Sequence, residues 1–124
     1  MRILLIEPDK VLATTYRRAL EEQGHTVSVA YDAQTAINVA DATAPELLVL
    51  ELQLIEHNGI EFLYEFRSYP EWQLIPVLIH TWVPLDAHMT ESLKQLHVIG
   101  YHYKPQTSLR RLLASIDTHT AASI

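Results

Sequence analysis

Four consecutive apolar residues, Leu47-Leu48-Val49-Leu50, give a strand at this point of the chain no polar face. Successive side chains of a strand point to opposite sides of its sheet, so such a strand has to be covered on both sides. A parallel sheet held between two helix layers meets that demand. Ile3–Ile6 repeats the pattern, and Thr26–Ala30, Pro76–His80 and Ile99–Tyr103 supply three more strand-length runs.

Between these runs the apolar period changes to that of a helix. Asp9 precedes Val11, Leu12, Thr15, Tyr16, Ala19 and Leu20, a helical face with an acceptor at its N-cap, and Gly24 ends it. Asp32 opens a second helix through Ala42. Gly59 opens a third, with Ile60, Phe62, Leu63 and Phe66, which Pro70 stops. Asp86 to about Leu96 reads as a fourth, and Thr107 or Ser108 caps a last one through about Ile116. The expectation is a single doubly wound α/β domain of (βα)5 type, residues 1–117, with a five-stranded parallel sheet in the order 2-1-3-4-5. Residues 118–124 read as a C-terminal tail or the start of a linker.

Composition narrows the function. At 124 residues the chain is one domain, and 9 Lys plus Arg against 15 Asp plus Glu leave a net charge of −6. That balance gives no electrostatic reason to bind nucleic acid directly. Cysteine is absent, which excludes disulfides, thiolate chemistry and Cys-type zinc sites. No apolar run approaches the roughly 18–20 residues that span a bilayer, and an acid at Glu7 comes too early for a secretory signal. A cytoplasmic domain without a membrane contact is expected. Nine acids and no Lys or Arg fall between Arg18 and Arg67, a stretch that fits solvated helix faces or an acidic site.

In an open parallel sheet, ligand chemistry gathers at the carboxyl ends of the strands. That rule selects Glu7, Pro8 and Asp9 after the first strand, and Glu51 at the end of the third. It also selects Thr81 after the fourth strand and Lys104-Pro105 after the fifth. Acids, a hydroxyl and a lysine therefore converge on one mouth.

These positions resemble the receiver domain of two-component response regulators, whose fold is flavodoxin-like (CheY-like). The resemblance runs along nearly the whole chain, through Ile3-Leu4-Leu5-Ile6-Glu7-Pro8-Asp9, Pro45–Leu54 with Asn58-Gly59, Pro76–Thr81, and Gly100-Tyr101-His102-Tyr103-Lys104-Pro105. It implies a signalling module in a phosphorelay and not an enzyme. In that family an aspartate at the end of the third strand takes a phosphoryl group from a histidine kinase. A magnesium ion held by acids and a backbone carbonyl offsets the charge. The hydroxyl and the lysine sense the phosphoryl group, and an aromatic on the fifth strand relays the change.

Carried over residue by residue, Thr81 and Lys104 match the sensing pair, Tyr101 the switch aromatic, and Glu7 the first acid. Pro8 stands in place of the second acid, and Glu51 in place of the acceptor. An extra methylene moves the Glu51 carboxylate about 1.5 Å further out, and a shift of this size spoils in-line attack. Proline offers the metal no oxygen, and Asp9, one residue late, fits a helix cap better than a ligand. Trp82 follows Thr81 where a small residue is usual, crowding the mouth, and the loop Leu54-Ile55-Glu56 lacks the proline that usually follows the third strand. The resemblance therefore implies an atypical receiver without a bound cofactor. If magnesium binds at all, Glu7, Glu51 and the Gln53 backbone would hold it.

Two roles fit Glu51: imitating a phosphoaspartate toward Thr81 and Lys104, or pairing with Lys104 in a frozen switch. Tyr101 likewise fits a switch or simple packing at the sheet edge. The partners implied are a histidine kinase or an output protein, met through the face of the fourth helix, fifth strand and fifth helix. A homodimer through the same face would pair Arg110 and Arg111 with Asp86 or Glu91. Two alternatives stay open: a phosphoaccepting receiver with a modified magnesium site, and the N-terminal receiver of a DNA-binding transcriptional regulator. Of the histidines, His80 and His102 fall on neighbouring strands and His57 in the loop beside Glu51. Their spacing matches no metal motif, so structural or surface roles are expected.

Overall fold

The computed structural model describes residues 1–122. Among them, five strands alternate with five helices: β1 (Arg2–Ile6), α1 (Lys10–Glu22), β2 (Thr26–Ala30), α2 (Ala33–Ala42), β3 (Leu47–Leu50), α3 (Gly59–Ser68), β4 (Val77–Thr81), α4 (Ala87–Gln95), β5 (Val98–Tyr103) and α5 (Leu109–Ala122). All strand pairs are parallel, and the sheet order is β2-β1-β3-β4-β5, as expected.

Side-chain alternation along the strands divides the core in two. Leu4, Ile6, Leu48, Leu50 and Ile79 face one layer, where they meet Ala36 and Ala40 of α2, Phe62, Leu63 and Phe66 of α3, and Leu93 of α4. Ile3, Leu5, Leu47, Val49 and Leu78 face the other, against Ala13 and Leu20 of α1 and Leu112 and Ile116 of α5. All four residues of β3 are buried, which is why none of them is polar.

Each helix begins where a short polar side chain takes up free N–H groups. Asp9 accepts from Val11 and Leu12, Asp32 from Thr35, Asn58 from Glu61, and Asp86 from Met89. Ser108, and not Thr107, caps α5 through the Arg111 N–H. Gly24, at φ 93°, takes the left-handed turn that ends α1. At Gly59 the constraint is space, because a Cβ there would come within 2.7 Å of the Leu52 Cα. The Gly59 N–H also bonds the Leu52 carbonyl at 2.7 Å, tying α3 to the segment that follows Glu51.

Some boundaries differ from expectation. Pro76 lies outside β4, since it has no N–H to give the ladder, although its carbonyl accepts from Leu48. Thr81 belongs to β4 and does not follow it. Pro70 ends α3 but starts a 3-10 turn, Pro70–Trp72, that returns Trp72 to the core, stacked on Phe66 with ring centroids 4.9 Å apart. The last helix runs to Ala122, past the expected end near Ile116, because no Gly or Pro interrupts it there. Thr118 to Ala122, read as tail, are thus helical, and residues 123 and 124 of that tail lie outside the described residues.

Candidate functional site

The carboxyl ends of β1, β3, β4 and β5 bring Glu7, Glu51, Thr81 and Lys104 into one buried cluster. Glu51 is 3 % exposed, and its two carboxylate oxygens accept four hydrogen bonds. One oxygen takes the Thr81 hydroxyl and the Gln53 N–H at 3.1 Å; the other takes the Trp82 N–H at 3.1 Å and the Lys104 Nζ at 3.0 Å. Glu7 receives two, from Lys104 Nζ at 2.5 Å and from the Asp9 N–H at 3.0 Å.

Lys104 therefore sits between two carboxylates, and the unequal donor count separates them electrostatically. Burial drives both carboxyl groups toward the neutral form. At Glu51 the Thr81 hydroxyl, the Gln53 N–H and Lys104 outweigh that burial and hold its pKa below the ordinary value. At Glu7 burial prevails over the bonds from Lys104 and Asp9, the charge of Glu51 adds to it, and the pKa is raised. Glu7 thus takes a proton before Glu51 does.

Pro8 lies beside the cluster and brings no oxygen from its side chain. The Asp9 carboxylate is exposed and turned to the start of α1, where it accepts from Val11 and Leu12. It is not brought to Lys104. The only side-chain carboxylates in the cluster are those of Glu7 and Glu51, and the ammonium group already bridges them. Among the described residues, no group of three His, Cys, Asp or Glu is placed to hold a metal ion. Magnesium requires near-octahedral oxygen ligation, and this donor set does not fit it while Lys104 stays in place.

Thr81 does more than meet Glu51, since its hydroxyl also accepts the Val83 N–H at 3.0 Å. The Val83 carbonyl in turn accepts from the Tyr101 phenol at 2.9 Å. Tyr101 is half-buried and packs against the core on the α2–α4 side. A chain of hydrogen bonds accordingly runs from Glu51 through Thr81 and Val83 to Tyr101.

Trp82 lies next to the cluster. Its indole is 52 % exposed and lies over the lysine, with Lys104 Nζ 5.8 Å from the ring centroid. Pro105 sits in a 3-10 turn directly after Lys104. Behind the cluster, His80 is buried with its ring edge-on to Tyr16, centroids 5.0 Å apart. Burial and the charges of Lys104 and His102 lower its pKa to about 4. His80 and His102 are register partners on β4 and β5, and His102 bonds the Ser115 hydroxyl of α5 at 2.9 Å. His57 is exposed in the loop before α3, and Arg110 and Arg111 are exposed on α5.

Residue types mark the four buried side chains but not two of the donors to Glu51. The Gln53 and Trp82 N–H groups are main-chain atoms, which leave no mark on residue type.

Comparison with known proteins agrees with this architecture. The solved receiver domain of the Francisella response regulator 1452 superposes with a TM-score of 0.85 at 22 % identity, covering 99 % of this chain and 98 % of that one. The chemotaxis protein CheY4 of Vibrio cholerae gives 0.85 at 18 % identity, over 94 % and 96 % of the two chains. At these identities the likeness concerns the fold. Among curated sequences, the KDP operon transcriptional regulatory protein KdpE of Escherichia coli is 32 % identical over 92 residues, 74 % of this chain and 37 % of that protein. The transcriptional regulatory protein TrcR of Mycobacterium tuberculosis is 36 % identical over 68 residues, 55 % of this chain and 26 % of that protein. The chain thus spans only a minor part of such relatives. The model of the response regulator receiver domain matches residues 3–117, the stretch that contains β2 to β5, all of β1 but Arg2 and every residue of the cluster, so the chain belongs to that family.

Proposed function

We propose that this chain is a receiver whose switch is held by Glu51 itself, without a phosphoryl group and without magnesium. The observation that carries the reading is the donor set of Glu51: hydroxyl, lysine and two backbone N–H groups all converge on one carboxylate. These are the kinds of donor that stabilise charge at a phosphoryl-transfer site, and here a side chain already engages them. Lys104 takes the place that a bridging cation would hold between Glu7 and Glu51. The Thr81–Val83–Tyr101 connection carries the state of Glu51 toward β5.

The output of such a domain is a protein contact, and the face of α4, β5 and α5 is the surface that Tyr101 borders. Its partners would be an output domain or protein, or a second copy pairing Arg110 and Arg111 with Asp86 and Glu91. The names of the relatives, transcriptional regulators, favour an output in transcription, with DNA bound by a separate domain.

The test is to incubate the protein with acetyl phosphate and Mg²⁺, follow its mass, and record the Tyr101 ring resonances. No phosphate adduct and unmoved Tyr101 signals are expected, with a shift of those signals in Glu51→Ala. A stoichiometric adduct on Glu51, or Tyr101 signals indifferent to Glu51→Ala, would overturn the reading.

A further inference from the structure

At the amino ends of the strands, far from Glu51, a cavity of about 580 Å³ opens between the end of α3, the segment before β4, the end of α4 and the start of β5. Arg67 projects into it, together with the amides Gln73 and Gln95, and Leu74, Ile75 and Ile99 give it apolar walls. The volume lies in the range of small-molecule sites, about 300–1,000 Å³, and the mixture of apolar wall with a few polar groups is typical of them.

Among the described residues, no carboxylate forms an ion pair with Arg67. Its Nε donates to the Leu96 carbonyl at 2.9 Å and its Nη1 to the Trp72 carbonyl at 2.7 Å. A guanidinium carries five N–H donors, so those two bonds leave the greater part of its capacity open. Arg67 is half-buried, and that burial lowers its pKa. The two carbonyls anchor the group in place, which removes part of the entropy that a flexible surface arginine would lose on binding. A carboxylate is the partner whose geometry matches the remaining fork.

We propose that this cavity binds a small monocarboxylate with an apolar body, its carboxylate on Arg67 and its body against Leu74, Ile75 and Ile99. Arg67 is the one Lys or Arg in the lining, beside two neutral amides and the His97 imidazole, so a single carboxylate is the charge the site matches. Ile99 also lines the smaller groove between α4 and β5, so an occupant would share a wall with the face assigned to protein contact.

The experiment is a ¹⁵N NMR titration with 4-phenylbutyrate, its neutral analogue 4-phenylbutan-1-ol, and inorganic phosphate. Expected is saturable movement of the Arg67 Nε–H and the Gln73 and Gln95 amide signals with phenylbutyrate, and binding at least about tenfold weaker for the other two. Equal binding of the alcohol would overturn the proposal, leaving a plain apolar groove. No saturation by any of the three up to about 10 mM, corresponding to less than about 3 kcal/mol, would also overturn it and leave Arg67 to an acidic protein surface. Leu74 is 95 % exposed, so Leu74→Glu keeps the fold while offering Arg67 a carboxylate in cis. That variant should weaken phenylbutyrate by about tenfold or more, and Leu74→Gln by no more than about threefold. Undiminished binding in Leu74→Glu would count against the site whatever Arg67→Gln does to stability.

Discussion

Thr81 and Tyr101 hold one residue, Val83, from its two backbone ends. The Thr81 hydroxyl accepts the Val83 N–H at 3.0 Å, and the Tyr101 phenol donates to the Val83 carbonyl at 2.9 Å. Because the same hydroxyl donates to Glu51, any change at the carboxylate alters the anchor of the segment that Tyr101 grips. Thr81→Val keeps the shape and removes the hydroxyl, leaving a Glu51 oxygen and the Val83 N–H each short of a partner. Each group left unsatisfied costs about 1–3 kcal/mol. The expected result is a lower midpoint in urea together with displaced Tyr101 ring resonances. Thr81→Ser should restore the Tyr101 signals, and identical spectra for the Val and Ser variants would show that Tyr101 does not follow the hydroxyl.

Lys104 is the cation for both buried acids, so its loss strands two charges at once. Breaking a buried pair by removing one partner costs roughly 3–5 kcal/mol. Lys104→Met should lose about that much at pH 7 by urea unfolding. The deficit should shrink as the pH falls toward 4, because Glu7, whose pKa is raised, is then protonated and no longer needs the cation. A deficit that stays constant with pH would mean that packing, not charge, was lost.

Glu51 and Glu7 contribute to stability with opposite signs. The folded pKa of Glu51 lies below the unfolded value near 4.5, so its stabilisation is complete above that value and is lost as the pH falls through the folded pKa. The folded pKa of Glu7 lies above it, so its contribution favours folding at low pH and is lost as the pH rises through the folded pKa. At pH 7 Glu51→Gln should therefore lower the Tm, and Glu7→Gln should leave it unchanged or raise it. Melting curves from pH 3 to 7 check the order. A Glu7 variant that is the more damaged of the two at pH 7 would reverse the assignment.

Much of this arrangement was readable from residue types because the physics acts through side chains. A strand without a polar face, Leu47–Leu50, could belong only to a sheet covered on both sides, and both core layers do cover it. The caps Asp9 and Asp32 were legible for the same reason, as each side chain does the capping. Trp72 was not, since Pro70 marks the end of a helix equally well whether the chain then leaves the core or turns back into it. At the cluster, topology alone selects Glu7, Glu51, Thr81 and Lys104, whereas the distances that make Glu51 a fourfold acceptor depend on where two backbone N–H groups fall. Arg67 gave no signal at all, because an arginine near a helix end is ordinary until it is seen to line a cavity with most of its donors unused.

Replacing both Pro8 and Glu51 with aspartate should create a magnesium site. Glu51→Asp alone shortens one carboxylate and adds no ligand. Adding Pro8→Asp supplies a hard oxygen where the side chain now has none. The Trp82 indole lies over Lys104 and should report a cation arriving there. Titration with Mg²⁺ should leave Trp82 emission flat in the native protein and in Glu51→Asp, and change it saturably in the double variant. A saturable response in the native protein would show that two glutamates suffice.

His80 gives the fold its own sensitivity to acid. It is buried against Tyr16, and it faces Lys104, His102 and Glu51, of which the first two disfavour its cation and the third favours it. Burial is the largest influence, and its pKa falls from 6.5 to about 4. Between those values the unfolded chain binds a proton that the folded protein refuses. Stability is therefore complete above pH 6.5, declines as the pH drops, and levels off below about 4. The slope approaches about 1.4 kcal/mol per pH unit, and the whole interval amounts to something on the order of 3 kcal/mol. His80→Leu should remove this component, so that its Tm falls less between pH 7 and pH 5 than that of the native protein. A residual slope belongs to His25 and His102, whose pKa values burial also lowers. Equal slopes in variant and native protein would place the acid sensitivity outside β4.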